Sequence, residues 1–294
     1  MIVVTTPTGA IGSQLVPQLL AAGEAVRVVA RHPEKLDPAV QGSVEVITGS
    51  SDDPGVLERA LVGAESLFHV VPPFFGAPNV TEYYLSFTRP ACEAMKRAGV
   101  SRVVTVSGIG RHFTGNAGVV TSSLTKDLEF ERAGLHVRAL WCPGFMDNML
   151  RELQSIRTRG TFFAPRRADL KAPYVATRDI ATSACRLLRD RSWTGAGGLA
   201  VLGPEDLSLN EIATITSEEL GVPVRFESVP AEAYKAQLLK YGASEDFARG
   251  LIDMSDAKDR GLDSSEPRTS ETTTATSYRE WCGEVLKPAF ARAG

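Results

Sequence analysis

The residues with the clearest chemical use lie within the first dozen. Residues 2–5 are a β-branched run, Ile11, Leu15, Val16, Leu19 and Leu20 then recur at helical spacing, and Thr6-Pro7-Thr8-Gly9-Ala10-Ile11-Gly12 joins the two. A turn so placed presents backbone N–H groups and the positive end of a helix, the arrangement that receives a pyrophosphate. Gly9 lets the backbone approach the phosphates, and Gly12 lets the helix pack closely on the strand. The second strand ends Val29-Ala30-Arg31, where such folds read the adenosine ribose with an acid for a free 2′-hydroxyl or a base for a 2′-phosphate. No acid is present. Arg31 can pair with a phosphate dianion and lie flat on adenine, and Lys35 adds a second positive charge, so the pattern favours NADP(H) over NAD(H).

Further along, His112 falls on the loop after the fifth strand, at the carboxyl edge, where an imidazole titrating near pH 6.5 suits proton delivery. Phe74 and Phe75 follow the fourth strand and, with Phe113, Phe145, Met146 and Tyr174, supply large apolar surface fit for a flat apolar or aromatic substrate. Asp147 and Asn148 either orient a polar substrate atom or cap the helix that starts there. Cys92, Cys142, Cys185 and Cys282 form no CxxC or Cys/His cluster and read as small buried hydrophobes, so no metal site is expected. No Ser/His/Asp order or paired-carboxylate spacing supports a hydrolase.

These groups need a scaffold, and the pattern supplies one. Near-continuous apolar runs at 26–30, 44–47, 67–71, 102–106 and 137–141 alternate with helical periods at about 80–97 and 119–133. Asp53 with Pro54 caps a further helix between the third and fourth runs. The expectation is an α/β fold with a doubly wound parallel sheet. Residues 1–145 read as the dinucleotide-binding domain and 146–294 as a smaller, mostly helical substrate lobe, interleaved so that about 172–203 returns to the main sheet. Ser208 with Glu211 and Ser277 with Glu280 have capping-box spacing, and 263–277 is a polar, Ser/Thr-rich loop.

Composition narrows the partners. With 43% apolar and 23% charged residues, the 294-residue chain is of ordinary globular make-up, and a net charge of -3 gives no general attraction to nucleic acid or anionic lipid. No run approaches the roughly 20 apolar residues that cross a bilayer, and no leader precedes the first strand, so the cytoplasm is the expected location. A small apolar or aromatic molecule is the expected partner, with neither nucleic acid nor membrane.

Several stretches, in their order and spacing, resemble the NmrA-like atypical short-chain dehydrogenase/reductases: PTGAIG, VRVVARHPEKL, DDPGVLERALVGAESLFHVVPP, AGVSRVVTVSGIG, KDLEFERAGLHVRALWCPGFMDNML, VATRDIA and LGPEDLSLNEIATITSEELGVPV. The resemblance implies a Rossmann domain that binds NADP(H) or NAD(H), a substrate cleft beneath a C-terminal lobe, and either reduction of quinones, aromatic compounds or dyes or redox sensing toward a protein partner. By position it implies that Thr6, Thr8, Gly9, Ile11 and Gly12 surround the pyrophosphate and that Arg31 and Lys35 read the 2′-phosphate. Val71, Pro72 and Ser107 would line the nicotinamide ribose, Pro143 to Phe145 would close over the ring, and Lys126 would anchor the ribose or act as acid/base.

Three positions depart from the family pattern. Thr6 replaces the first loop glycine, Ser50 replaces an acid that reaches toward adenine, and Ser122 stands where a dehydrogenase keeps its tyrosine proton donor. An alkyl hydroxyl has too high a pKa to replace a phenol, but quinones and extended enones take hydride readily and can draw their proton from water. The expected function is therefore an NADPH-dependent reductase of a small conjugated, quinone-like or aromatic substrate. The missing tyrosine keeps a non-catalytic NADP(H) sensor open, and Thr6 with Ser50 keeps open a scaffold repurposed for non-redox cyclisation or isomerisation.

Overall fold

A computed structural model describes residues 1–292. Its strands are β1 (Ile2–Thr5), β2 (Val26–Ala30), β3 (Glu45–Thr48), β4 (Ser66–His69), β5 (Arg102–Gly108), β6 (His136–Cys142), β7 (Gly144–Phe145), β8 (Thr161–Ala164), β9 (Ala172–Val175), β10 (Ala196–Ala200), β11 (Asp206–Leu207) and β12 (Arg225–Ser228). The helices are α1 (Gly12–Ala21), α2 (Pro38–Gln41), α3 (Pro54–Leu61), α4 (Val80–Ala98), α5 (Val119–Arg132), α6 (Leu153–Arg159), α7 (Thr177–Arg189), α8 (Leu209–Leu220), α9 (Ala231–Lys240), α10 (Glu245–Asp259), α11 (Tyr278–Trp281) and α12 (Lys287–Arg292).

Seven strands form one parallel sheet in the order β10-β6-β5-β4-β1-β2-β3. The order reverses direction between β1 and β4, which opens a crevice at their carboxyl ends. Both faces are covered, and alternation along each strand decides which residue goes where. Val4, Val28, Phe68, Val104 and Leu140 meet Leu15 and Leu19 of α1 and Ile180 and Leu188 of α7. Val3, Val29, Leu67, Val103 and Val137 meet Leu57 of α3, Met95 of α4 and Phe130 of α5. Each such side chain stabilises the fold by about 1.5–3 kcal/mol when fully buried, so these two layers fix the sheet from which the site is built.

Local signals set the helix limits. The Asp53 carboxylate accepts from Val56 N at 3.1 Å, ahead of Pro54. The capping box at Ser208 and Glu211 is closed in both directions, whereas at Ser277 only the serine arm forms, accepting from Glu280 N. Past β6 the chain builds a second core, with Met146, Ile156, Phe162, Ile212, Tyr278 and Trp281 at its centre, beside the small sheets β11-β9-β7 and β12-β8. β10 pairs with β6, and α7 packs against α1, so both belong to the main body. The Ser/Thr-rich segment is tied down, with Leu202 N donating to Thr272 O and Thr274 N to Leu202 O. All four cysteines are free and buried. No helix among the described residues is long and apolar enough to cross a membrane.

Candidate active site

The first turn is tight. Gly9 N donates to Thr6 O at 3.0 Å, and a Cβ on Gly12 would lie 2.2 Å from Thr6 O and 2.9 Å from Pro7 Cα, so only glycine permits this close return of the chain. α1 then starts with no side-chain cap and no acid in its first turn, which leaves its positive end without a protein counter-charge. Thr6 adopts φ 51°, the one positive φ at a non-glycine residue among the described residues. The left-handed region costs an L-residue about 1–2 kcal/mol, so the threonine keeps the shape a glycine would give and holds it under strain. Thr8 is exposed, but the Ile11 side chain is buried in the core, and only its backbone faces the turn.

At the end of β2, Arg31 and Lys35 are both exposed, and neither forms an ion pair among the described residues. The nearest acid in sequence, Glu34, lies 3.1 Å from His32 Nδ1 instead. Tyr83 of α4 joins them. Its hydroxyl donates to Pro72 O at 3.0 Å, and the charges of Arg31 and Asp52 both act on its phenol, which burial holds above the usual pKa. Ser50 is half-buried, and its carbonyl accepts from Asp53 N; the acid of this region is Asp52, two positions on. Sequence reasoning did not single out Tyr83. Its signal was positional, because the first turn of a helix after a parallel strand rises from the carboxyl edge.

Lys126 is neither a surface lysine nor a free acid. It is fully buried, and its ammonium donates to Val106 O at 3.2 Å, Ser107 Oγ at 3.0 Å and Asp127 Oδ1 at 2.9 Å, which uses all three donors. Asp127 Oδ1 also accepts from Thr105 Oγ1 at 2.6 Å, and Oδ2 has no partner. The pair thus clamps α5 to the end of β5 and holds the Ser107 hydroxyl. One turn earlier, Ser122 pairs with Thr81 at 2.9 Å beside a polar recess of about 200 Å³ that Arg249 and Asp253 also line. Buried His69 of β4 stacks edge-on against Phe130 and is kept neutral, its pKa lowered to about 3 by burial and then by the Lys126 charge.

The aromatic candidates separate. Phe74 and Phe75 remain exposed, at 52% and 44%; Phe74 packs on Tyr83, and Phe75 on Phe247 of α10. Val71, Pro143 and Ser107 are buried at the strand ends beneath them, and Pro72 and Phe145 are half-buried. Phe113 instead packs, half-buried, among Val120, Met254 and Leu262 with Arg260 over its ring, and Met146 is 2% exposed in the lobe core. Tyr174 lies under Gly144, its pKa pushed up to about 12 by burial while the charges of Arg166 and Asp263 act on it. The Asn148 side chain is exposed and makes no hydrogen bond among the described residues. Asp147 caps no helix of its own: it accepts from Thr177 N at 3.1 Å and Thr177 Oγ1 at 2.7 Å, pinning the start of α7. His112 is exposed, 3.7 Å from Glu266 and edge-on to Trp141, so it shares no partner with Lys126.

A glycine turn, a basic end to β2 and an aromatic wall after β4 thus lie along one sheet edge, and the model of the NmrA-like family matches residues 1–281 of the chain. The chain belongs to the NmrA-like family. Within and around this family, it is 29% identical over 99% of both chains to a (4-alkanoyl-5-oxo-2,5-dihydrofuran-3-yl)methyl phosphate reductase of Streptomyces griseus. It is 26% identical to an NAD(P)H azoreductase of Xenophilus azovorans, over 86% of each chain. Among solved structures, it is similar to a nucleoside-diphosphate-sugar epimerase of Staphylococcus aureus, with a TM-score of 0.82, 17% identity and coverage of 96% and 99%. It is also similar to an NADPH-dependent quinone oxidoreductase of Escherichia coli in complex with NADPH, with a TM-score of 0.81, 20% identity and coverage of 97% and 100%. As an NmrA-like protein the chain has the Rossmann-type sheet, and its own residues decide what the cleft holds.

Proposed function

We propose that this chain is an NADPH-dependent reductase of small, flat, conjugated acceptors such as quinones. One arrangement carries the reading: Arg31 and Lys35 after β2, without an ion pair among the described residues, the uncapped start of α1 after β1, and the exposed rings of Phe74 and Phe75 after β4 all follow neighbouring strands at one edge of the sheet. The donor set fits a phosphorylated dinucleotide, because the start of α1 has neither a side-chain cap nor an acid in its first turn and so leaves its N–H groups to an anion. Arg31 and Lys35 would hold the 2′-phosphate, Thr8, Gly9 and Gly12 the pyrophosphate, and Val71, Pro72, Ser107, Pro143 and Phe145 the nicotinamide end. When bound, the cofactor supplies hydride. Lys126 positions the Ser107 hydroxyl, and Phe74 and Phe75 hold the acceptor flat. No acid replaces tyrosine at position 122, so the preferred acceptors are those that take their proton from water. The reductases named among the relatives support the same reaction class.

The test is NADPH oxidation, followed by cofactor absorbance, against a panel of quinones and enones. Turnover that prefers NADPH over NADH supports the reading, and tight NADPH binding with no acceptor turned over refutes it. The sealing of Lys126 favours one second reading, a non-catalytic NADP(H) sensor. That reading requires partner affinity to differ between the oxidised and reduced forms, and equal affinity removes it.

A further inference from the structure

We infer that Arg151 is a specificity-determining residue that recognises an anionic substituent on the acceptor. The inference rests on the proposed reductase cleft for its location. Arg151 lies in the 3-10 helix Met146–Glu152 after β7, and its guanidinium sits 5.3 Å over the ring of Phe75. Phe75 follows β4, whereas Arg151 follows β6 and β7, and β5 runs between β4 and β6 in the sheet. The contact therefore joins the loop after β4 to the segment after β7, two connections that leave the carboxyl edge of the sheet on either side of β5. Phe247 of α10 stacks on Phe75 at 4.9 Å and backs the pair from the lobe side.

Three features make Arg151 a reader of ligand charge. It is exposed and forms no ion pair among the described residues. Its guanidinium rests over the Phe75 ring, and no side-chain hydrogen bond among the described residues takes up its N–H groups. The acid beside it, Glu152, is half-buried, with its pKa raised by burial and lowered in part by the charges of Arg159 and Arg151, and it forms no ion pair with Arg151; Tyr234 of α9 is the other titratable group at this place. An acceptor held in the cleft would bring a carboxylate, sulfonate or phosphate at its edge to the Arg151 N–H groups, whereas a cationic acceptor would be repelled.

Binding to the NADP⁺-loaded protein tests this without turnover. The probes are naphthalenesulfonate, naphthoate and naphthyl phosphate, with uncharged naphthol as control, measured by calorimetry on the unmodified protein, Arg151→Ala and Arg151→Lys. The expected result is that the anions bind more tightly than naphthol, that Arg151→Ala weakens them about tenfold while naphthol changes less than about twofold, and that Arg151→Lys retains part of the preference. The order among the three anions identifies the group recognised. No anion preference in the unmodified protein, or equal losses for anions and naphthol, overturns the inference. If the preference depends on Arg151 but no acceptor is ever reduced, the reductase reading falls and this one stands.

Discussion

Replacing Lys126 with methionine separates a structural ion pair from a group that acts on the reactants. Lys126 and Asp127 are each about 1% exposed at the side chain, and their charges meet at 2.9 Å. At an effective dielectric near 20, that separation gives an attraction of about 6 kcal/mol, most of which offsets the several kcal/mol needed to desolvate each ion. The intact pair is close to neutral for stability, but its halves are not. Lys126→Met leaves the Asp127 carboxylate buried with only the Thr105 hydroxyl on Oδ1 and nothing on Oδ2. Stranding one member of such a pair costs about 3–5 kcal/mol, which lowers Tm by roughly 5–8 °C in a chain of this size. Adding Asp127→Asn keeps an acceptor for Thr105 and removes the stranded charge, so the double variant regains most of the loss. Thermal unfolding followed by circular dichroism, alongside kcat/KM for NADPH oxidation, checks both halves. A single variant with unchanged Tm but abolished turnover would refute the clamp and make Lys126 a direct participant.

Four further outcomes follow from the same geometry. Arg31→Ala weakens NADPH roughly 10–100-fold and leaves NADH within about twofold, as measured by calorimetry; equal losses would place the 2′-phosphate elsewhere. Gly12→Ala drives a Cβ to 2.2 Å from Thr6 O, so nucleotide binding is lost together with a drop in Tm. Thr6→Gly relieves the strain of φ 51° and raises stability by up to about 1 kcal/mol, because glycine's greater unfolded entropy takes back part of the gain. The buried neutral His69 makes the fold acid-sensitive. With a folded pKa near 3 against an ordinary 6.5, the unfolded chain binds the extra proton first, so stability is complete above pH 6.5 and falls as pH drops toward 3. His69→Phe removes this dependence and shifts the acid-unfolding midpoint to lower pH.

The sheet was legible because its central strands are apolar on both faces, and the glycine turn because strand and helix flank it unambiguously. The position of Arg31 was legible for a similar reason, since it is the first residue past the carboxyl end of the second strand. Positions whose role depends on the lobe were harder to read. Met146 and Phe113 have the composition of cleft residues, but Met146 turns into the lobe core and Phe113 packs under Leu262, contacts that arise between segments more than a hundred residues apart. Lys126 shows the limit of positional reading: its place on α5 was clear, but the neighbouring Asp127 decides that its charge is satisfied internally. Tyr83 was missed because nothing in VTEYYLSF distinguishes a ring at the crevice from one in the core.

The return of α7 and β10 to the main body bears on how the protein is made. Until the ribosome has extruded the chain through Ala200, β6 is a bare edge, with unpaired N–H and C=O groups open to any other nascent polypeptide. Residues 1–145 on their own would therefore carry a second bare edge besides that of β3. A stop introduced after Phe145 should yield an aggregating fragment rather than a smaller working protein.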